Sequence, residues 1–106
     1  MEKFDIKRGW FKNIEGDKLS QIMKENFGNV REEEGWLLSD YGAMKPIKVK
    51  PFSKKELGVE INTVKVPDAE VMDTMRKRNQ FLEAATGFNS KQRLKRLKKK
   101  AKDGKL

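Results

Sequence analysis

Apolar and polar residues alternate over the first ten positions and again through the middle of the chain. Phe4, Ile6 and Trp10 fall on one side of the opening segment, a pattern typical of a half-buried strand. The same period of two predicts three further strands, at residues 30–38, 44–52 and 57–66. Gly35 lies inside the first of these three and is interpreted as a bulge.

Two other segments have the spacing of amphipathic helices. The first presents four apolar residues at intervals of three and four: Leu19, Ile22, Met23 and Phe27. Asp17 is placed to cap the start of this helix, and Gly28 to end it. A second helix is predicted between Pro67 and Gly87, and its apolar side comprises Val71, Met72, Met75, Phe81, Leu82 and Ala85.

The order β-α-β-β-β-α predicts an α+β fold. We expect a two-layer sandwich, in which a mainly antiparallel four-stranded sheet carries two helices on one face. Residues 1–88 would form this domain, and residues 89–106 a basic tail that is either disordered or helical. The expected core comprises Leu19, Ile22, Met23, Phe27, Ile47, Val49, Val59, Ile61, Val71, Met75 and Leu82.

Charge is distributed unevenly along the 106 residues, whose net charge is +9. The last sixteen contain nine Lys or Arg and one acid, Asp103, a net of +8. The first ninety contain sixteen basic and fifteen acidic residues, a net of +1. A nearly neutral body with a strongly cationic terminal segment predicts a polyanionic partner.

Nucleic acid is the polyanion that this segment fits best. Neutralising its charges would release counterions, so removal of residues 91–106 is expected to lower affinity by tens to thousands of fold. Placed on a helix, Leu94, Leu97 and Ala101 form a narrow stripe without the aromatic anchor of a membrane-binding helix. Two alternatives remain, an inert solubilising tail and a docking segment for an acidic protein. The residues predicted to contact nucleic acid are Lys91, Arg93, Lys95, Arg96, Lys98, Lys99, Lys100 and Lys102 of the tail, with Lys48 and Lys50 of the body.

Lys48 and Lys50 alternate with Ile47 and Val49, so they should point to the solvated face of the sheet. If Trp36 or Tyr41 shared that face, the sheet would offer a charged surface with a platform for stacking bases. The simpler interpretation is that the lysines only protect the sheet from aggregation. Under this simpler interpretation, the aromatic residues Trp10, Trp36 and Phe52 belong to the core.

Cysteine and histidine are both absent, which excludes disulfides and thiolate chemistry and removes the usual general base near neutral pH. The run Glu32-Glu33-Glu34 could attract a hard cation, but a solvated or salt-bridged edge explains it more simply. Glycine-rich phosphate motifs are also missing. We therefore expect no catalysis, no cofactor and no metal.

No apolar run approaches the roughly 20 residues that cross a bilayer. The first residues also carry charges where a signal peptide would be apolar. A cytoplasmic protein without a membrane partner is expected, and its oligomeric state is left open.

Lys7-Arg8-Gly9 near the start and Gly35-Trp36 in the middle give residues 2–88 a resemblance to small uncharacterised archaeal proteins. That resemblance implies a two-layer α/β sandwich, similar in plan to one half of a TATA-binding protein. By fold analogy alone it implies contact with nucleic acid, and it implies no known activity.

A second resemblance is to double-stranded-RNA-binding domains. The order of elements from Asp17 to Ala85 matches them, and the segment 98–102 resembles their KKxAK motif. In that family the motif opens the closing helix. In this chain the motif follows the closing helix, so the resemblance assigns no RNA-contact residues.

Overall fold

The computed structural model describes the backbone of residues 2–102 and the side chains of residues 2–99. Within this part of the chain there are five strands and three α-helices, with a short 3-10 helix at Phe11–Asn13. The strands are β1 (Glu2–Asp5), β2 (Arg31–Glu33), β3 (Trp36–Tyr41), β4 (Met44–Pro51) and β5 (Glu56–Thr63). The helices are α1 (Lys18–Phe27), α2 (Asp68–Thr86) and α3 (Ser90–Lys102). The α+β class is confirmed, whereas the predicted four strands and two helices differ from this layout.

The additional strand comes from the segment predicted as one strand over residues 30–38. Glu34 and Gly35 both have positive φ, 53° and 83°, and Glu33 pairs with Trp36 across them. Two consecutive residues with positive φ form a tight hairpin turn, so the interpretation of Gly35 as a bulge was wrong. The chain reverses here, and β2 and β3 become antiparallel neighbours.

All five strands are antiparallel, in the order β1-β5-β4-β3-β2. Ile47 lies opposite Ile61, and Val49 opposite Val59, so these side chains share one face of the sheet. That inner face packs against α1 and α2 in a single core. The opposite, outer face carries Lys48 and Lys50.

Most of the predicted core is buried, and Ile22 and Ile61 are partly buried against it. Val71 and Met75 are exceptions, with 37% and 54% of their surface exposed. The start of α2 contacts the sheet through Thr74 instead, whose hydroxyl accepts a hydrogen bond from the Ala43 amide at 3.0 Å. Gly42 makes this approach possible, because a Cβ atom there would lie 2.0 Å from that hydroxyl oxygen.

The helix ends follow the sequence only in part. Gly28 ends α1 in the left-handed conformation, with φ of 82°. Asp17 precedes α1, but its carboxylate makes no capping hydrogen bond. The core also includes six residues that were not in the expected core, although the apolar pattern had placed some of them on its apolar sides: Ile6, Ile14, Met44, Leu57, Phe81 and Ala85.

Candidate nucleic-acid interface

Arg93 holds the first turn of α3 against the body of the protein. Its guanidinium donates hydrogen bonds to the Phe88 carbonyl at 2.6 Å and to Asn79 Oδ1 of α2 at 3.1 Å. Burial lowers the pKa of Arg93 from its usual value, and the nearby charge of Arg78 lowers it further. Arg93 is therefore an anchor for the helix, in addition to being a predicted nucleic-acid contact.

Arg96 makes the second attachment, one turn later. Its Nε donates to Asp5 Oδ2 at 2.9 Å, and its guanidinium lies 4.7 Å from the centre of the Phe88 ring. The Asp5 side chain is only 17% exposed, which makes this the least solvated carboxylate among the ion pairs of the described residues. The ion pair fixes α3 beside the end of β1.

The lysines of α3 contrast with these two arginines. Lys91, Lys95, Lys98 and Lys99 are all exposed, and none of them forms an ion pair within the described part of the chain. As far as the described residues are concerned, their ammonium groups are available to an external anion. The side chains of Lys100 and Lys102, predicted to act with them, lie outside the described residues.

A cleft of about 910 Å³ lies where α3 meets the body. Six cations line it: Lys7, Arg8, Lys12, Lys54, Lys55 and Arg96. They come from four separate parts of the chain, the segment after β1, the 3-10 helix, the β4–β5 connection and α3. Asp5 and Glu15 are the acids in its lining, and Phe11 and Phe88 contribute rings. The cleft extends the basic surface of α3 onto the body.

The outer face of the sheet is a third basic region. Lys48 and Lys50 of β4 place their Nζ atoms 5.7 and 6.0 Å from the centre of the Trp36 ring. Phe52 meets Trp36 edge-on, with ring centres 5.8 Å apart. Trp36 and Phe52 are therefore not core residues, contrary to the simpler interpretation of the sequence.

Trp10 and Tyr41, the other two aromatic residues considered above, lie on the core side. Trp10 packs against the core and donates a hydrogen bond from Nε1 to the Ala84 carbonyl at 2.9 Å. Tyr41 packs against Phe27, with ring centres 5.8 Å apart. Of the two candidates for the outer face, Trp36 is the one found there.

The glutamate run is not arranged as a cation site. Glu34 lies in the hairpin turn, so it does not share a strand face with Glu32. Arg31 bridges Glu33 and Asp40, at 3.4 and 3.2 Å. Among the residues that the structure describes, no group of three or more acids is placed to hold a metal ion.

Sequence reasoning found the exposed lysines of α3 and the pair on β4. It did not predict that Phe52 lies beside Trp36 on the outer face of the sheet. The alternation that places Lys48 and Lys50 on this face continues to position 52 and could have predicted it. Sequence reasoning also missed Lys7, Arg8 and Lys12. No local pattern links those residues to α3, because only the tertiary fold brings them together.

The fold and the basic surface define a small α+β protein with cationic groups on a docked terminal helix and on the body beside it. The chain belongs to the family defined by a domain of unknown function, DUF5611, which matches residues 1–99. The match therefore includes most of α3. No curated protein and no solved structure matches the chain significantly. In the described part of the chain, every helix is too short or too polar to cross a membrane.

Proposed function

We propose that this protein is a non-catalytic nucleic-acid-binding protein of low sequence specificity. The observation that carries the proposal is the set of exposed α3 lysines that have no carboxylate partner in the described residues. Such groups contribute to phosphate binding without first breaking an internal ion pair. The cations of the cleft extend the surface, and Lys48 and Lys50 are further contacts in this proposal.

The affinity of electrostatic binding of this kind depends more on the number of charges neutralised than on the identity of the bases. Each phosphate that a lysine neutralises returns condensed counterions to solution, and this release supplies the free energy of non-specific binding. The two anchored arginines keep part of the cationic helix in a fixed position. Less ordering of the protein is then needed when the polyanion binds.

The test compares two pairs of lysines with equal charge. In the test variant, Lys95→Gln and Lys98→Gln neutralise α3 and leave both arginine anchors intact. In the control variant, Lys24→Gln and Lys65→Gln remove two exposed cations from α1 and from the segment after β5. Binding to a labelled duplex is measured by fluorescence anisotropy. We expect roughly a tenfold or greater decrease in affinity for the test variant and a much smaller decrease for the control. Equal decreases would contradict the assignment to α3.

A second function is favoured by a separate observation on α3. Leu94 and Leu97 are 52% and 49% exposed, and they lie among the lysines. An apolar stripe flanked by cations also suits an acidic protein partner, for which α3 would be the docking segment. Such a partner would bind one-to-one and saturate, and affinity for added polynucleotide would show no dependence on its length.

We also propose a fold plan, an origin and a cellular location for this protein. A likeness in plan to one half of a TATA-binding protein is supported by the antiparallel sheet with helices on its inner face. An archaeal origin rests on the resemblance given by Lys7-Arg8-Gly9 and Gly35-Trp36. A cytoplasmic location would give the protein access to nucleic acid.

A further inference from the structure

The outer face of the sheet displays two aromatic rings, those of Trp36 and Phe52. Trp36 is half-buried and Phe52 is 40% exposed, and neither belongs to the core cluster. Their edge-on contact at 5.8 Å fixes the two rings relative to each other. A side chain with few rotatable bonds and an exposed ring loses little entropy when a flat ligand stacks on it.

Gly58 of β5 lets Phe52 lie close against the outer face of the sheet. A Cβ atom on Gly58 would come within 2.5 Å of the Phe52 ring, so any larger residue would displace that ring. Gly58 is a strand residue directly opposite Lys3. The Phe52 ring is therefore closely packed against Gly58, and this packing holds the ring in a defined position.

Cations surround both rings. The Nζ atom of Lys3 lies 5.6 Å from the centre of the Phe52 ring, and the Nζ atoms of Lys48 and Lys50 lie at similar distances from Trp36. Glu60 is opposite Lys48 on β5, and Glu33 is opposite Trp36 on β2. Glu33 is already paired with Arg31, and the three lysines outnumber these two facing glutamates.

Flat rings with ammonium groups beside them match the chemistry of an unpaired nucleotide. The base offers a face that stacks on an aromatic ring, and the phosphate accepts contacts from lysine. In a duplex the base faces are buried against their neighbours, so a duplex offers only phosphates to this surface. The basic cleft is near, because Lys54 and Lys55 follow Phe52 in the β4–β5 connection and line it.

We propose that the outer sheet face binds single-stranded nucleic acid, with bases stacked on Trp36 and Phe52 and phosphates held by Lys3, Lys48 and Lys50. This inference rests on the proposed function and adds to it the preferred form of the substrate. The α3 helix supplies the general attraction to polyanions, and the outer face discriminates between unpaired and paired strands.

The test measures full-length protein against a twelve-nucleotide oligothymidine and a duplex of the same length. Trp36→Ala should weaken binding to the single strand roughly tenfold or more, whereas affinity for the duplex should stay within about twofold. Trp36→Phe keeps a ring and should retain most of the affinity. Met72→Ala, which removes an exposed apolar side chain from α2, is the matched control and should change neither affinity.

A second measurement does not depend on truncating the ring. The chain has two tryptophans, so Trp10→Phe leaves Trp36 as the only indole. Stacking of thymine on Trp36 should quench its emission, and binding of the duplex should leave that emission nearly unchanged. Folding of this variant is checked by circular dichroism before titration.

The possible results separate the two proposals. If neither oligonucleotide binds the full chain, both the proposed function and the stacking surface are rejected. If both bind and Trp36→Ala weakens them equally or not at all, the stacking surface alone is rejected. Selective weakening of single-strand binding, with quenching of Trp36, supports it.

Discussion

The Tyr41 hydroxyl donates a hydrogen bond to the Asp73 carboxylate and so links the end of β3 to α2. This hydrogen bond raises the pKa of Tyr41 above its usual value of 10.0, and burial and the negative charge of Asp73 act in the same direction. Because the folded-state pKa exceeds the unfolded one, the neutral phenol is favoured by folding. The resulting stability is present below pH 10 and is lost as the pH rises through the folded-state pKa.

Tyr41→Phe removes this bond and leaves the ring in place. We expect the free energy of unfolding at pH 7 to fall by about 1.5–3 kcal/mol, the range for a hydrogen bond to a charged group. Urea unfolding of both proteins at pH 7, 9 and 11 measures the difference. The difference should be equal at pH 7 and 9 and smaller at pH 11, because Tyr41 of the unfolded chain ionises near its usual pKa of 10.0 and this favours unfolding. A difference that stays constant up to pH 11 would contradict this account of Tyr41.

Two residues of α2 show how well the apolar pattern of the sequence predicts burial. Leu82 and Met75 both lie on the predicted apolar side of α2, but only Leu82 is buried. Period alone cannot separate them, since a hydroxyl at Thr74 and a glycine at Gly42 determine how the start of the helix meets the sheet. The hydrogen bond from the Ala43 amide to Thr74 joins residues 31 positions apart, so no local pattern predicts it.

At the scale of elements, α3 is a cationic helix with an anchored start. Its self-repulsion opposes helix formation in isolation, and the bonds of Arg93 and Arg96 to the body offset it. The partial burial of Arg93 makes its hydrogen bonds the stronger contribution, because they are shielded from water. The stability of α3 should therefore depend on one arginine much more than on a neighbouring lysine.

Arg93→Gln removes a partly buried cation, and Lys95→Gln removes an exposed one. The Arg93 substitution should speed amide hydrogen exchange in residues 90–99 by about 10- to 100-fold, which corresponds to the removal of a charged hydrogen bond. Lys95→Gln should change the exchange rates only slightly. Mass spectrometry of peptides from α3 measures both variants, and an equal effect of the two substitutions would show that Arg93 is not an anchor.

The strands show which elements can be predicted from the sequence and which cannot. Alternation located β4 and β5, and glycine marked the end of α1. The turn between β2 and β3 was not predicted, because its first residue is Glu34 rather than the asparagine or aspartate that usually signals such a turn. A non-glycine residue with positive φ is uncommon, and Glu34 has this conformation in the turn between two paired strands.

At the scale of the whole molecule, charge is divided between a balanced body and a cationic terminal helix. This division could be predicted by counting residues, and it located the exposed lysines of α3. Counting could not predict the basic cleft, whose cations come from four parts of the chain. Nor could it show that Arg93 and Arg96 have partners within the protein. The body thus contributes more positive surface than its net charge indicates.

The central claim, that α3 binds polyanions through its exposed lysines, is tested most directly by the salt dependence of binding. For the full chain and duplex DNA, a plot of log affinity against log salt concentration should have a slope of about −4 to −5, as expected for roughly four to six neutralised phosphates. Replacing Lys91, Lys95, Lys98 and Lys99 by Gln should make the slope shallower by about 0.9 for each phosphate that is no longer neutralised. A slope unchanged by these four substitutions would contradict the claim.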